Sequence, residues 1–207
     1  MVRKLNRKMI LKMIPKVWQK ISLYLNLNLS WEEFLDECKN SFKNFRGFKL
    51  IKSKYPPWNA EIRIGRISYA YMTYYPFTKK EKVEFKVAHE LVHIFRDYVS
   101  KCKFKQVGLV SYLLEEALCD IIATKAICKR ERELRKYGLY HLIDICALEK
   151  IIYDLGDEEI RRIAVMPKNE NELKELTMFV LNLIKTKNFI KAVKSVWKYK
   201  IKEEVYF

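Results

Sequence analysis

Glycine and proline are scarce, with five of each among 207 residues. Turn-dense all-β folds need many more chain-reversing residues, so the shortage favours long helices. The cysteines Cys38, Cys102, Cys119, Cys128 and Cys146 are odd in number and form no CxxC pair. That argues against a disulfide framework or a thiolate zinc cluster and fits buried, reduced thiols in a cytoplasmic protein. No run approaches the roughly 20 apolar residues of a membrane span. The basic start, MVRKLNRKMILKMIPKVWQK, lacks an uninterrupted apolar stretch and a small-residue cleavage site, so no signal peptide is expected. Glutamine occurs only at Gln19 and Gln106, and histidine only three times.

Half of the residues are hydrophobic and 14% are aromatic, enough for a sizeable core rather than a disordered chain. Lysine and arginine number 41 against 25 acidic residues, a net charge of +16. A basic balance can mark a nucleic-acid partner, but these charges are dispersed and no basic cluster with interleaved aromatics stands out. A nucleic-acid partner is therefore not favoured. Abundant lysine and isoleucine with little glutamine suits a heat-adapted organism instead.

Apolar positions at helical spacing over about 3–26 predict a first helix, with Pro15 expected to break or bend it. Ser30 and Glu33 have capping-box spacing and predict a second helix over 31–45, closed by Gly47. Three short stretches follow, FKLIKSK, AEIRIGR and ISYAYMTYY, β-branched and aromatic, separated by YPPWN and Gly65 and stopped by Pro76. Thr78 and Glu81 again have capping-box spacing, before a helix that carries KEKVEFKVAHELVHIFRDYV. Further helices are expected over about 111–136, 139–155, 157–164 and from 170 onward, with a break near 186–188. The expected fold is one α+β domain. N-terminal helices fill 1–46, a core of antiparallel or mixed sheet and two helices fills 47–136, and a helical region fills 137–207.

Within the third helix stands AHELVHIF. His89 and His93 are four apart, so they share one helix face and can hold one ion from successive turns. Glu90 lies about 100° round the helix from His89, within reach of a metal-bound water but clear of a coordination position. HExxH is the zinc-peptidase pattern, in which the metal lowers the pKa of water and the glutamate takes its proton. A chain this long matches it by accident in fewer than about one case in a hundred. A catalytic zinc needs a third protein ligand, and His141, Glu115 and Glu116 are the credible residues. Glu116 and Asp120, four apart in LLEEALCDIIA, share a face on a helix that is otherwise apolar. Two acids there need a partner. Glu116 suits a ligand role and Asp120 a hydrogen bond to the outer nitrogen of a ligating histidine.

HELVH followed by EALCD resembles the gluzincins, the thermolysin-like zinc metallopeptidases, over about residues 47–136. The resemblance implies one zinc ion held by His89, His93 and Glu116. It implies Glu90 as general base and acid, and Asp120 as the partner of His89. It also implies a mixed sheet ahead of the active-site helix, whose edge strand takes extended peptide by strand addition. SYAYMTYY is the best match for that edge, centred on Ala70, Tyr71 and Met72. With so short a chain the likeness is greatest to the minimal gluzincins, or minigluzincins, and the metallopeptidases that cut phage-type repressors share a related plan. Full gluzincins add an oxyanion-stabilising tyrosine and histidine from a later subdomain. No motif fixes them here, and Tyr112, Tyr140 and His141 are the candidates. For His141 an ordinary half-buried histidine near the Gly138 turn is favoured. Minimal gluzincins can also be latent, with their own chain in the cleft. The expected activity is peptide-bond hydrolysis, more endo- than exopeptidase, and the alternative is a non-catalytic zinc protein acting through a protein or nucleic-acid partner.

Overall fold

The computed structural model describes residues 5–55, 57–78, 80–103, 109–127 and 143–194. Two helices, α1 (Arg7–Tyr24) and α2 (Trp31–Ser41), lead into three strands, β1 (Phe45–Lys52), β2 (Asn59–Arg63) and β3 (Ser68–Tyr74). The long helices α3 (Lys80–Val99) and α4 (Leu109–Ile127) follow. The shorter α5 (Ile143–Tyr153), α6 (Asp157–Ala164) and α7 (Glu170–Ile184) complete an α+β fold with helical extensions. The chain is helical again over 187–194, so the expected interruption near 186–188 falls at 185–186. No described helix is long and apolar enough to cross a membrane.

α1 runs through Pro15 without stopping. Proline removes the bond from its own nitrogen to the carbonyl four residues back. That residue is Leu11, which is 40% exposed, so water can serve its carbonyl. On the opposite stripe Ile10, Ile14, Val17, Trp18 and Ile21 are buried, and their packing outweighs the lost bond. α2 opens with the full capping box: Ser30 Oγ accepts from Glu33 N and Glu33 reaches back to Ser30 N at 2.7 Å. It ends at Ser41, earlier than the sequence implied, because the chain is already extended from Phe45. Gly47 does not close a helix. It lies inside β1 at φ +94°, where the register against β3 shifts between Phe45 and Phe48. A bulge in the left-handed region is where glycine is least costly. Thr78 accepts from Trp58 Nε1 at 2.8 Å and donates to the Tyr75 carbonyl. The helix start that it was expected to cap is Lys80, and Lys79 lies outside the described residues.

Strand order is β1-β3-β2. β3 pairs parallel with β1 and antiparallel with β2, so the sheet is mixed and β3 is its centre. This corrects the expectation that Ala70, Tyr71 and Met72 form a peptide-binding edge. Ala70 and Met72 are fully buried, and all three have partners on both sides, Phe48, Lys49 and Leu50 on one and Ile62, Glu61 and Ala60 on the other. The edges belong to β1 and β2, and at β2 the Ile62 amide already donates to Asp97 of α3 at 2.6 Å.

Aromatic packing ties the N-terminal helices to α3. Trp18 stacks on Phe34 at 4.2 Å, both face Phe95, and the Trp18 indole N–H is shared by the Leu29 and Ser30 carbonyls. Phe95 lies two residues beyond His93, so this cluster fixes the back of the helix that carries the histidines. Trp18→Ala should cost about 3–5 kcal/mol of folding stability. Urea unfolding followed by circular dichroism measures it. A loss under about 1 kcal/mol would show that the cluster does not anchor α3.

Candidate metal centre

α4 packs against α1, α3, α5, α6 and α7. Ala117, Leu118, Cys119, Ile121 and Ile122 are all fully buried on it. Its carboxylates, Asp120 fully and Glu115 and Glu116 in part, are therefore withdrawn from water and need partners in the protein. They find them on α3. Asp120, 1% exposed, accepts from His89 Nδ1 at 2.7 Å. With its proton held on Nδ1, a neutral His89 ring presents its Nε2 lone pair to the other side.

Donor atoms of three residues converge there. His89 Nε2 is 3.1 Å from His93 Nε2 and 3.5 Å from Glu116 Oε2, and His93 Nε2 is 3.6 Å from Glu116 Oε1. Four tetrahedral ligands at about 2.0–2.1 Å from zinc are about 3.3 Å apart. The three separations straddle that value, and the donor set of two imidazoles and a carboxylate is that of a catalytic zinc site. The residues fit the ion. The side chains of His93 and Glu116 keep 17% and 18% exposure, whereas His89 and Glu90 are closed off at 1% and 2%.

The electrostatics favour positive charge at this point. Burial lowers the His89 pKa, but Asp120, Glu116 and Glu90 outweigh it and raise it to about 10. For His93 burial is again outweighed, here by the Glu115 hydrogen bond and the charges of Glu116 and Glu90. Burial would raise Glu116, yet both histidines hold it below the usual carboxylate range. Glu90 moves the other way: burial raises its pKa in spite of His89, His93 and Lys86. A carboxylate made more basic is better suited to accepting a proton.

Two further groups support the site, and the sequence reading assigned neither. Arg96 is 7% exposed on α3, and its Nε donates to Glu115 Oε2 at 2.7 Å. One guanidinium nitrogen also donates to the carbonyls of Ile163, Ala164 and Met166, at and beyond the C-terminus of α6. Glu115, a candidate ligand by sequence, faces His93 Nδ1 at 3.5 Å. Burial alone would raise Glu115, but Arg96 and His93 bring it down to about 2. Arg96 sits three residues past His93, a spacing that places the two on one helix face. Glu149 of α5, 5% exposed, is hydrogen-bonded to Asp120. Burial and then the Asp120 charge push its pKa far up, so it stays protonated and donates. No local signal in the sequence links Glu149 to Asp120.

Arg96→Met should cost about 1–3 kcal/mol, because it leaves the half-buried Glu115 carboxylate and the α6 carbonyls without their donor. Zinc affinity should fall about 10–100-fold as His93 loses its oriented partner. Chelator competition with the folded variant reads the second effect, and unchanged affinity would separate Glu115 from metal binding.

A second donor group, His93, Glu115 and Cys119, also clusters. It suits a cation poorly. Arg96 already occupies Glu115, and burial followed by the Glu115 charge pushes the Cys119 thiol well above its usual pKa, which disfavours the thiolate. Of the oxyanion candidates, Tyr112 is half-buried one turn before Glu116, and burial with the Glu116 charge keeps its hydroxyl protonated. Tyr140 and His141 lie outside the described residues. No family model, curated protein or solved structure matches this chain.

Proposed function

We propose that this chain is a zinc-dependent metallopeptidase of gluzincin type, with His89, His93 and Glu116 as the ligands. The observation that carries the reading is the convergence of those three donors at 3.1–3.6 Å, with Asp120 hydrogen-bonded behind His89. Zinc bound there supplies Lewis-acid polarisation of a peptide carbonyl and a lowered pKa for water. Glu90 accepts the proton of the attacking water on its carboxylate and passes it to the leaving amine. Asp120 and Glu115 hold the imidazoles in the tautomer that turns Nε2 toward the ion. Tyr112 can donate its hydroxyl hydrogen to the developing oxyanion. Because β3 is central, strand addition of a peptide passes to the outer strands of the sheet. Free thiols at Cys38, Cys102 and Cys119 support a cytoplasmic setting.

The test is digestion of a mixed peptide library by the zinc-loaded full chain, read by mass spectrometry. Cleavage should appear, stop with a chelator and return with zinc. The 2% exposure of Glu90 favours one second reading, a zinc centre closed to substrate. Stoichiometric zinc without any cleavage would support that reading and remove the first.

A further inference from the structure

α3 carries one more charged group on its metal-facing stripe. At about 100° per residue, Lys86 falls between His93 and Glu90 on the helix and within about 60° of His89. It stands one turn nearer the N-terminus than Glu90. Lys86 is 9% exposed, and its Nζ is shielded from solvent without a hydrogen bond among the described residues. An ammonium has three donors and no acceptor, so a buried one normally sits against carboxylates or carbonyls.

The nearby acids do not serve it. Burial lowers the Lys86 pKa, and the charges of Asp120, Glu90 and Glu116 oppose that without bonding to it. Asp120 is bonded to His89 Nδ1, and Glu116 faces the two Nε2 atoms. A divalent ion at the three donors would draw on the same negative charge and leave the ammonium with still less compensation. Lys86 offsets part of the acidic charge at a distance but is hydrogen-bonded to none of the three acids among the described residues. A desolvated lysine nitrogen beside the general base, with no hydrogen-bond partner among the described residues, is suited to an anion that arrives with the substrate.

We propose that Lys86 is a specificity-determining residue that binds a peptide carboxylate, from an acidic side chain beside the scissile bond or from a free C-terminus. The assignment rests on the peptidase reading and adds to it a substrate class, peptides anionic at one position next to the cleavage point. A single ammonium is a compact point charge and matches one carboxylate rather than an extended polyanion.

Titration calorimetry on the zinc-loaded full chain carrying Glu90→Gln, which keeps peptides intact, tests this. The probes are acetylated hexapeptides that differ by glutamate or glutamine at each position in turn, each with a free and an amidated C-terminus. Either one side-chain position or the free C-terminus should bind about tenfold or more tightly in its charged form. Lys86→Met should remove that preference, Lys86→Arg should keep it, and Lys86→Glu should reverse it. The Arg variant keeps the test valid if loss of the charge disturbs folding. Equal binding of charged and neutral probes, or a preference that survives Lys86→Met, would overturn the assignment and leave the peptidase reading standing. If no probe binds and the wild-type chain cleaves none, the peptidase reading falls and the Lys86 assignment falls with it.

Discussion

Glu90→Gln should lower kcat for peptide hydrolysis by about 10²–10⁴-fold while zinc stays bound at one ion per chain. Glutamine keeps the size and one carbonyl oxygen of glutamate but cannot hold a proton at neutral pH. Glu90 is 2% exposed, so a larger or smaller side chain would disturb packing, and the isosteric amide avoids that. The three converging donors belong to other residues, which is why metal content should not change. Removing a buried charge whose pKa burial already raises should not destabilise the chain either. Single-turnover kinetics with zinc analysis of the same sample read both halves. Hydrolysis within threefold of wild type would move the base away from Glu90.

The second large effect is the loss of metal in Glu116→Ala. Glu116 supplies the only carboxylate among the three converging donors and the negative charge that offsets a divalent ion. Its removal should weaken zinc by well over the roughly 100-fold that a lost outer-shell partner costs. Binding to the folded state stabilises by about 2.7 kcal/mol at a zinc concentration 100 times Kd. Wild-type chain should therefore melt higher with zinc, and the variant should not. A zinc-induced rise of equal size in Glu116→Ala would disqualify Glu116 as a ligand.

The centre was more legible than the sheet. His89 and His93, and Glu116 and Asp120, are i,i+4 pairs, and helical spacing alone sets each pair on one face. Apolar neighbours in EALCDIIA then predict that the acids are buried and partnered, as Asp120 is. Strand order has no comparable local code. Alternation in SYAYMTYY separates the faces of β3 but not edge from centre. β1 reaches the far side of β3 through a parallel pairing that no turn signal announces. Pro15 does not break α1 and Gly47 does not close α2 for a related reason: a local rule about breakers yields to packing along α1 and to a bulge in β1. Arg96, Glu149 and Lys86 were silent because their meaning depends on what surrounds them. An arginine that clamps Glu115 and α6, or a lysine left without an acceptor, reads in sequence as one more charge among many.

X-ray absorption at the zinc edge tests the His89–His93–Glu116 centre most directly. The expected spectrum has only nitrogen and oxygen scatterers, at about 2.0–2.1 Å, with the outer-shell signature of two imidazoles and one light-atom position that exchanges with added ligand. A sulfur scatterer at about 2.3 Å would place the metal on Cys119 instead. That result, or a fourth ligand that does not exchange, would contradict a centre built to hydrolyse peptides.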